Sequence, residues 1–190
     1  VLIESCWAWN NGYREDGVTV GGDGNGYKLG PTSISASSTI LRRIVNCISY
    51  KNQAWGYNEN GSAICNMELY NNISYNNSFG SNWGGGYNLN VSGISYYIKN
   101  NISYKDVPDA ANIGTKTNVT HNSWDGSYTV TNADFVSLDG SDLILSRKSD
   151  GSLPDIDFLR LAEGSDLIDA GVTVGLTYIG NNPDLGPFEF

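Results

Sequence analysis

Short runs of apolar and polar residues, each bounded by glycine or asparagine, recur along much of the chain. Three of them, at residues 26–29, 56–59 and 86–89, read Gly-Tyr-Lys-Leu, Gly-Tyr-Asn-Glu and Gly-Tyr-Asn-Leu, and their tyrosines are 30 residues apart (27 to 57, 57 to 87). No run has the length of an amphipathic helix, and β-branched and aromatic residues between turn-forming residues are typical of short strands. The pattern therefore predicts strands joined by turns.

A second repeated segment has the form Asn-Cys-Ile-Ser-Tyr-Lys-Asn, with a degenerate copy at residues 120–125. The intervals between successive copies are 41, 25, 29 and 20 residues (6 to 47, 72, 101 and 121). A repeated unit with unequal intervals is typical of a solenoid whose insertions lie in loops on one face. The clearer copies span residues 5–11, 46–52, 71–77 and 100–106.

Stacked coils place equivalent residues one strand spacing apart, about 4.8 Å. Asparagine side chains in one position of the repeat can then hydrogen-bond along the stack as a ladder, while aliphatic and aromatic residues fill the interior. We therefore predict an all-β fold, a right-handed parallel β-helix. A β-propeller is the alternative, but each of its blades needs four regular strands.

Sequence character and charge divide the chain into two parts. Residues 1–132 hold the repeats, and we expect them to be the C-terminal coils of a longer β-helix; residues 133–190 are expected to form an irregular cap packed on it. The net charge is −9, and residues 134–190 contribute 11 acids and 3 bases to it. The sequence has no basic stripe of the kind that binds nucleic acid, and no stretch is long and apolar enough to span a membrane.

The cysteines and the single histidine do not form a metal-binding pattern. Cys6 and Cys47 occupy the same position of the repeat, and stacking could bring them close enough for a disulfide. We expect instead that both, together with Cys65, are buried thiols that pack as small apolar groups. His121, in the degenerate copy, is expected to have a structural role.

One position of the first repeat holds Lys28, where later copies have Asn58, Asn88 and, in a looser copy, Asn112. A cation in a row of amides is the position at which we expect chemistry. The structural alternative is a solvated surface group, which is the usual role of a lysine on a solenoid.

Arg42 and Arg43 lie on the coil after Lys28. Neighbouring residues of a strand face opposite ways, so at most one of the two reaches a given cleft. There it would pair with a carboxylate of a ligand. The alternative is an ion pair with a nearby acid such as Glu15 or Glu68.

The sequence around Lys28 resembles polysaccharide lyase family 9, the pectate lyases built on a right-handed parallel β-helix. Residues 22–30, Gly-Asp-Gly-Asn-Gly-Tyr-Lys-Leu-Gly, match the family motif G-D-G-N-G-F/Y-K-L-G. Residues 46–52 match the coil that follows it, and residues 55–60 are similar to the next one. The resemblance covers residues 1 to about 125, and the lysine motif is its most specific part.

The resemblance implies that Lys28 is the catalytic base and that a cluster of aspartates binds a catalytic Ca²⁺. In the family these aspartates precede the lysine in a D-D-G-x-D type motif. Asp16 and Asp23, the only aspartates before Lys28, do not match that motif. We therefore expect the metal ligands upstream of Val1.

The implied reaction is the calcium-assisted β-elimination of polygalacturonate. A base removes the proton at C5, beside the uronate carboxylate, and Ca²⁺ on that carboxylate would stabilise the developing charge. Lysine suits this role because its pKa, about 10.4 when free, can be lowered by its surroundings. We expect an alkaline optimum.

The predicted substrate contacts are polar side chains along the row of Lys28 and on the next coil: Asn58, Asn88, Arg42 and Arg43. Three aromatic residues near the row either pack on sugar rings or fill the core, which is the commoner role inside a β-helix. They are Trp55, Trp83 and Tyr87.

We expect the partner to be an acidic polysaccharide and the protein to be a secreted bacterial enzyme that acts as a monomer. Other classes stay open. A non-catalytic β-helix module would bind the polysaccharide without cleaving it, and a fragment without its upstream calcium site would be inactive. A pectin hydrolase would need paired carboxylates, and the face of the repeats has no such pair.

Overall fold

The computed structural model describes residues 1–30, 41–59, 66–78, 83–89, 96–113 and 118–190. Asn60 and Cys65, which belong to the sequence patterns above, lie outside these ranges. The described residues contain thirteen short strands, β1 to β13. In chain order they are Leu2–Glu4, Trp7–Trp9, Tyr27–Lys28, Leu41–Val45, Ile48–Tyr50, Trp55–Asn58, Asn66–Tyr70, Ile73–Tyr75, Gly85–Asn88, Tyr96–Lys99, Ile102–Tyr104, Ala110–Ala111 and Val119–Thr120.

These strands form three sheets that run along a stack of coils. The first sheet has the order β1-β4-β7-β10-β13, the second β2-β5-β8-β11 and the third β3-β6-β9-β12. All of these pairings are parallel, and neighbours within a sheet come from successive coils. This arrangement is the predicted parallel β-helix.

The first repeat forms a row of tyrosines in the interior. Tyr27, Tyr57 and Tyr87 pair in register, and their rings stack almost parallel with centroids 4.9 and 4.7 Å apart. The hydroxyl groups donate hydrogen bonds to backbone carbonyl oxygens, for example from Tyr57 to Cys47 at 2.8 Å. Every ring therefore buries its apolar surface while its polar end keeps a partner.

Asparagine recurs at one corner of the coils because the backbone there is left-handed. Asn46, Asn71 and Asn100 have φ of 53°, 53° and 60°, and asparagine adopts this conformation more readily than most residues. His121 has a similar φ of 58°, and the strand register stacks it on Asn100. The degenerate copy therefore begins one residue later than predicted.

The residue after this corner forms a buried amide ladder. Asn72 donates a side-chain hydrogen bond to Asn101 at 2.9 Å, and Asn101 donates one to Asn122 at 2.9 Å. Each Oδ1 also accepts from a backbone amide, as Asn72 does from Cys47 at 3.0 Å. The ladder satisfies polar groups that would otherwise be costly to bury.

A second buried ladder joins Asn52 to Asn77 at 2.8 Å and ends at Asp106. The carboxylate of Asp106 accepts from the backbone amide of Asn77 at 2.6 Å and from the hydroxyl of Ser103 at 3.0 Å. Burial raises the pKa of the Asp106 carboxyl group to about 7, although these hydrogen bonds oppose the rise.

Two individual positions differ from prediction. Cys6 is exposed in this structure rather than buried, whereas Cys47 is buried, and neither forms a disulfide. Asn112 is not in register with Asn88, which pairs with Ala111. Instead, Asn112 turns a left-handed corner with φ of 59° and donates back to Asn88 at 2.8 Å.

Beyond β13 the chain is irregular and packs along the outer side of the second sheet. An aromatic row on that sheet, including Tyr50 and Tyr104, meets Phe158 and Phe135 of this segment, with ring centroids 4.8 Å (Tyr50–Phe158) and 5.4 Å (Tyr104–Phe135) apart. No helix in the described part of the chain is long and apolar enough to cross a membrane. The 3₁₀ helices span Ser123–Asp125, Asn132–Asp134 and Gly140–Ile144.

Candidate active site

A loop between β2 and β3, residues 10–26, stands beside Lys28 and forms one wall of an open cleft. The cleft has a volume of about 560 Å³. Side chains that can bind a polar ligand line it, among them Tyr13, Arg14, Asp23, Asn25 and Lys28.

The loop is a small hairpin held together by its own polar groups. Tyr13 and Val20 form an antiparallel bridge, and the carboxylate of Asp16 accepts from the amides of Val18 and Thr19 at 3.0 and 2.8 Å. A hydrogen bond from the Thr19 hydroxyl and these two amides lower the pKa of Asp16. Asp16 thus stabilises a turn.

Two glycines let the two sides of the loop approach each other and the next coil. Gly12 and Gly24 have φ of +87° and +58°, a region that favours glycine, and a Cβ on Gly12 would lie 2.4 Å from the Cα of Gly24. The carbonyl oxygen of Gly24 also accepts from the amide of Ala54 at 3.0 Å. The shape of the cleft therefore depends on this backbone contact.

Lys28 is presented to solvent at the end of β3. The preceding residue, Tyr27, belongs to the buried tyrosine row, so the strand is anchored while the next side chain points out of the core. The Nζ atom of Lys28 lies 3.6 Å from Oδ2 of Asp23, and the two side chains are 48% and 78% exposed. The amine is thus accessible and has one acidic neighbour.

Asn58 and Asn88 continue the row from Lys28 in register. Asn58 is only 5% exposed and donates to Oδ1 of Asn25 at 3.2 Å. The same oxygen accepts from the backbone amide of Trp55 at 3.2 Å. Asn58 therefore supports the end of the loop, while Asn88 is half-buried and more accessible to a ligand.

The two arginines on the next coil face different surroundings. Arg43 forms an ion pair with Glu68 at 3.3 Å and lies over the ring of Tyr70, its guanidinium carbon 5.6 Å from the centroid. Arg42 lines a smaller pocket together with Lys28. Its Nη1 atom is buried and has no hydrogen-bond partner among the described residues. Arg43 lines the same pocket but already has an acidic partner, whereas the ion pairs of the described residues do not include Arg42.

The three aromatic candidates differ in how exposed they are to solvent. Tyr87 and Trp55 are buried, so they belong to the packing of the coils, whereas Trp83 is 57% exposed.

Within the described residues, no group of three or more acidic, histidine or cysteine side chains is placed to hold a metal ion. The residues described here therefore do not form a calcium site.

Arg14 also lines the cleft, and the sequence patterns did not predict it. It belongs to neither repeat and lies outside residues 22–30, the motif that singles out Lys28. The only sequence signal near it is the density of glycine in the loop, which indicates close backbone approach but names no functional side chain.

The fold and the cleft define the class: a parallel β-helix protein with a lysine-bearing cleft beside one sheet. The family model described as "Pel9A-like, right handed beta helix region" matches residues 1–101. The chain therefore belongs to the Pel9A-like right-handed β-helix family, polysaccharide lyase family 9, as the resemblance implied. A second model, "Rhamnogalacturonan lyase-like, C-terminal", matches residues 113–187.

Individual relatives agree with this family. The chain is 38% identical over 192 residues to Pectate lyase L of Dickeya dadantii (strain 3937), with 100% of this chain and 42% of the relative covered. It is 34% identical to Pectate lyase L of Paenibacillus polymyxa (strain SC2), with 92% and 37% covered. The chain thus spans about two fifths of the length of these curated relatives.

Solved structures support the same assignment. The crystal structure of pectate lyase Pel9A matches with a TM-score of 0.74 at 33% identity, over 100% of this chain and 45% of that one. A rhamnogalacturonan lyase matches with a TM-score of 0.66 at 26% identity, over 86% of this chain and 42% of that one. The Pel9A match covers both the coils and the irregular C-terminal segment.

Proposed function

We propose that the chain is the lysine-bearing part of a pectate lyase that cleaves polygalacturonate by β-elimination, with Lys28 as the base. One observation carries this proposal: the lysine of the family motif has an accessible amine at an open cleft, on a strand anchored by the buried tyrosine row. The names of the relatives, pectate lyases of bacteria, support the same reaction class.

In the proposed reaction the neutral amine of Lys28 removes the proton at C5 of a galacturonate unit. The electron pair left at C5 forms a C4–C5 double bond, and the bond from C4 to the glycosidic oxygen breaks. The leaving oxygen takes up a proton, so one product has an unsaturated end and the other a new reducing end. Because the amine must be neutral to act as a base, activity should rise toward alkaline pH.

Calcium dependence is part of the proposal but does not rest on residues described here. In this reaction class Ca²⁺ would withdraw charge from the uronate carboxylate. The described residues offer no set of ligands for it, so the steps above use only the groups of this chain. The ligands would belong to residues outside the described ranges.

The substrate contacts follow the accessibility of the predicted residues. Asn88 and Arg42 are proposed to contact the polymer, and Asn58 to act through Asn25. Arg43, already paired with Glu68, is proposed to contribute least. We propose that the enzyme is secreted and that it acts as a monomer.

The test is the ultraviolet absorbance of unsaturated product from polygalacturonate at alkaline pH, with and without Ca²⁺. Lys28→Ala is compared with Lys148→Ala, which removes an exposed lysine paired with Asp155 far along the chain. Product that disappears only in Lys28→Ala supports the proposal. Binding of the polymer without product, in either metal condition, would favour the non-catalytic binding module or a fragment that lacks its calcium site.

A further inference from the structure

We infer that Arg14 binds a uronate carboxylate in the Lys28 cleft and gives this cleft its preference for the acidic, non-esterified polymer. The inference rests on the proposed function, since it assigns the recognition of charge at the same site. It adds a residue that lies in neither repeat and outside the lysine motif.

The charge balance of the cleft points to Arg14. Three charged side chains line the cleft, Arg14, Asp23 and Lys28, and the last two pair with each other at 3.6 Å. Within the described part of the chain, the ion pairs join Lys28, Arg43 and Lys148 to acids and leave Arg14 out. A chain of net charge −9 thus keeps an uncompensated cation at its cleft, which suits a polyanion.

The backbone of Arg14 is fixed although its side chain is exposed. Its amide donates to the carbonyl oxygen of Thr19 at 2.8 Å, and its carbonyl oxygen accepts from the amide of Gly17 at 2.8 Å. The first of these bonds crosses the hairpin, and the second closes its turn. The side chain therefore starts from a defined point on the cleft wall.

The stem of the side chain passes over Gly21, which also lines the cleft. A Cβ on Gly21 would lie 3.3 Å from Cγ of Arg14, so glycine at this position leaves the stem room to lie against the wall. Arg14 and Lys28 line the same open cleft. Tyr13, next to it, lines the same cleft and offers an apolar surface to a sugar ring.

The two cations of the cleft, Arg14 and Lys28, are suited to different roles. Arginine presents two parallel N–H donors to a carboxylate and stays charged in the alkaline range in which lysine can lose its proton. Lysine can lose its proton, which a base requires. Arg14 is thus suited to hold an anion under the alkaline conditions in which Lys28 acts. A methyl ester has no anion to offer, so it gains nothing from Arg14.

The experiment is calorimetric titration of the chain with a short oligogalacturonate and with the methyl ester of the same oligomer, at low temperature so that cleavage is slow. We expect Arg14→Ala to weaken binding of the acid about tenfold or more and to leave binding of the ester unchanged. Arg14→Lys should lie between, because it keeps the charge but loses the paired donors. Arg147→Ala, an exposed arginine of the C-terminal segment, is the matched control.

Gly21→Ala provides a second, independent variant. Its methyl group would press on the Arg14 stem, so it should weaken binding of the acid while the thermal unfolding midpoint stays near that of the wild type. Wild-type affinity in Arg14→Ala, an equal loss for acid and ester, or no binding of the acid by the wild type would each overturn the inference.

Cleavage measured in parallel separates this inference from the proposed function. If the acid binds through Arg14 but no unsaturated product forms, the inference stands and the lyase proposal fails. If product forms at the same rate and KM in Arg14→Ala, the lyase proposal stands and Arg14 is not the anion site.

Discussion

The interior of the coils and the loop beside Lys28 differ in whether their residues repeat from coil to coil. In the interior, equivalent positions repeat the same residue: tyrosine rings stack 4.9 and 4.7 Å apart, and asparagines donate to one another at 2.8 to 2.9 Å. In the loop nothing repeats, glycines take left-handed φ, and the one ion pair is exposed. Periodicity supplies rigidity, and chemistry is proposed where the period breaks.

The largest effect is expected from the residue that breaks the row. Lys28→Ala should lower the rate of product formation by roughly 10²–10⁴-fold, the usual contribution of a general base. Lys28→Arg keeps the positive charge beside Asp23 but not the ability to lose a proton, and it should be almost as inactive. Initial rates from ultraviolet absorbance check this, and a Lys28→Arg variant with normal activity would contradict the role of a base.

The interior should show the reverse pattern, with a loss of stability. Tyr57 is fully buried between two stacked tyrosines, and Tyr57→Ala should lower the free energy of unfolding by about 3–5 kcal/mol. Tyr57→Phe keeps the stack and loses the hydrogen bond to Cys47, at a cost of about 1 kcal/mol. Denaturant unfolding measures both; equal losses would show that the stack contributes little.

The end of the second ladder should make stability depend on pH. The folded-state pKa of Asp106 is raised from 3.8 to about 7 by burial. The unfolded chain therefore loses this proton first, and stability is fully present below about pH 4 and is lost as pH rises to about 7, by up to roughly 4 kcal/mol. Asp106→Asn introduces the residue type that the ladder has at Asn52 and Asn77, and it should remove this fall in stability with pH.

The matching measurement is the midpoint of urea unfolding from pH 4 to pH 8. The wild type and Asp106→Asn should agree at the acid end, and the variant should be the more stable one above pH 7. A variant that shows the same fall as the wild type would mean that other groups cause it.

The loop should respond to a backbone change that spares the coils. Gly24→Ala forces a side chain into a left-handed φ, with its Cβ 2.5 Å from the carbonyl oxygen of Asn11, at a local cost of about 1–3 kcal/mol. We expect activity to fall while hydrogen exchange in the coils is unchanged. Gly22→Ala, at a position where a Cβ meets nothing within 4 Å, is the control.

The smallest effect is expected at Arg43. Its partner is Glu68, and partly exposed ion pairs contribute about 0.2–1 kcal/mol. Arg43→Ala should leave the rate and KM for polygalacturonate close to those of the wild type. A large rise in KM would instead return Arg43 to the set of substrate contacts.

Sequence predicts the periodic part of this molecule well because stacking in register imposes the same residue on each coil. The 30-residue spacing of Tyr27, Tyr57 and Tyr87 is sufficient to predict their stack. The alignment of the repeats is wrong by one residue at His121 and at Asn112, where the last coils are short and the repeat becomes irregular. The repeat pattern does not predict the role of Arg14, because the position of this residue depends on how the non-repeating loop before β3 folds.

The interior ladders also have a direction. Side-chain amides donate to the next coil from Asn52 to Asn77 and from Asn101 to Asn122. Each ladder finishes on a carboxylate: the backbone amide of Asn77 donates to Asp106 at 2.6 Å, and the side chain of Asn122 donates to Asp125, three residues later, at 3.3 Å. An amide both accepts from the coil before and donates to the coil after, whereas an ionised carboxylate only accepts. Each amide ladder thus ends where an acid takes the place of an amide, and a designer who wished to extend the ladders would insert new coils ahead of these acids.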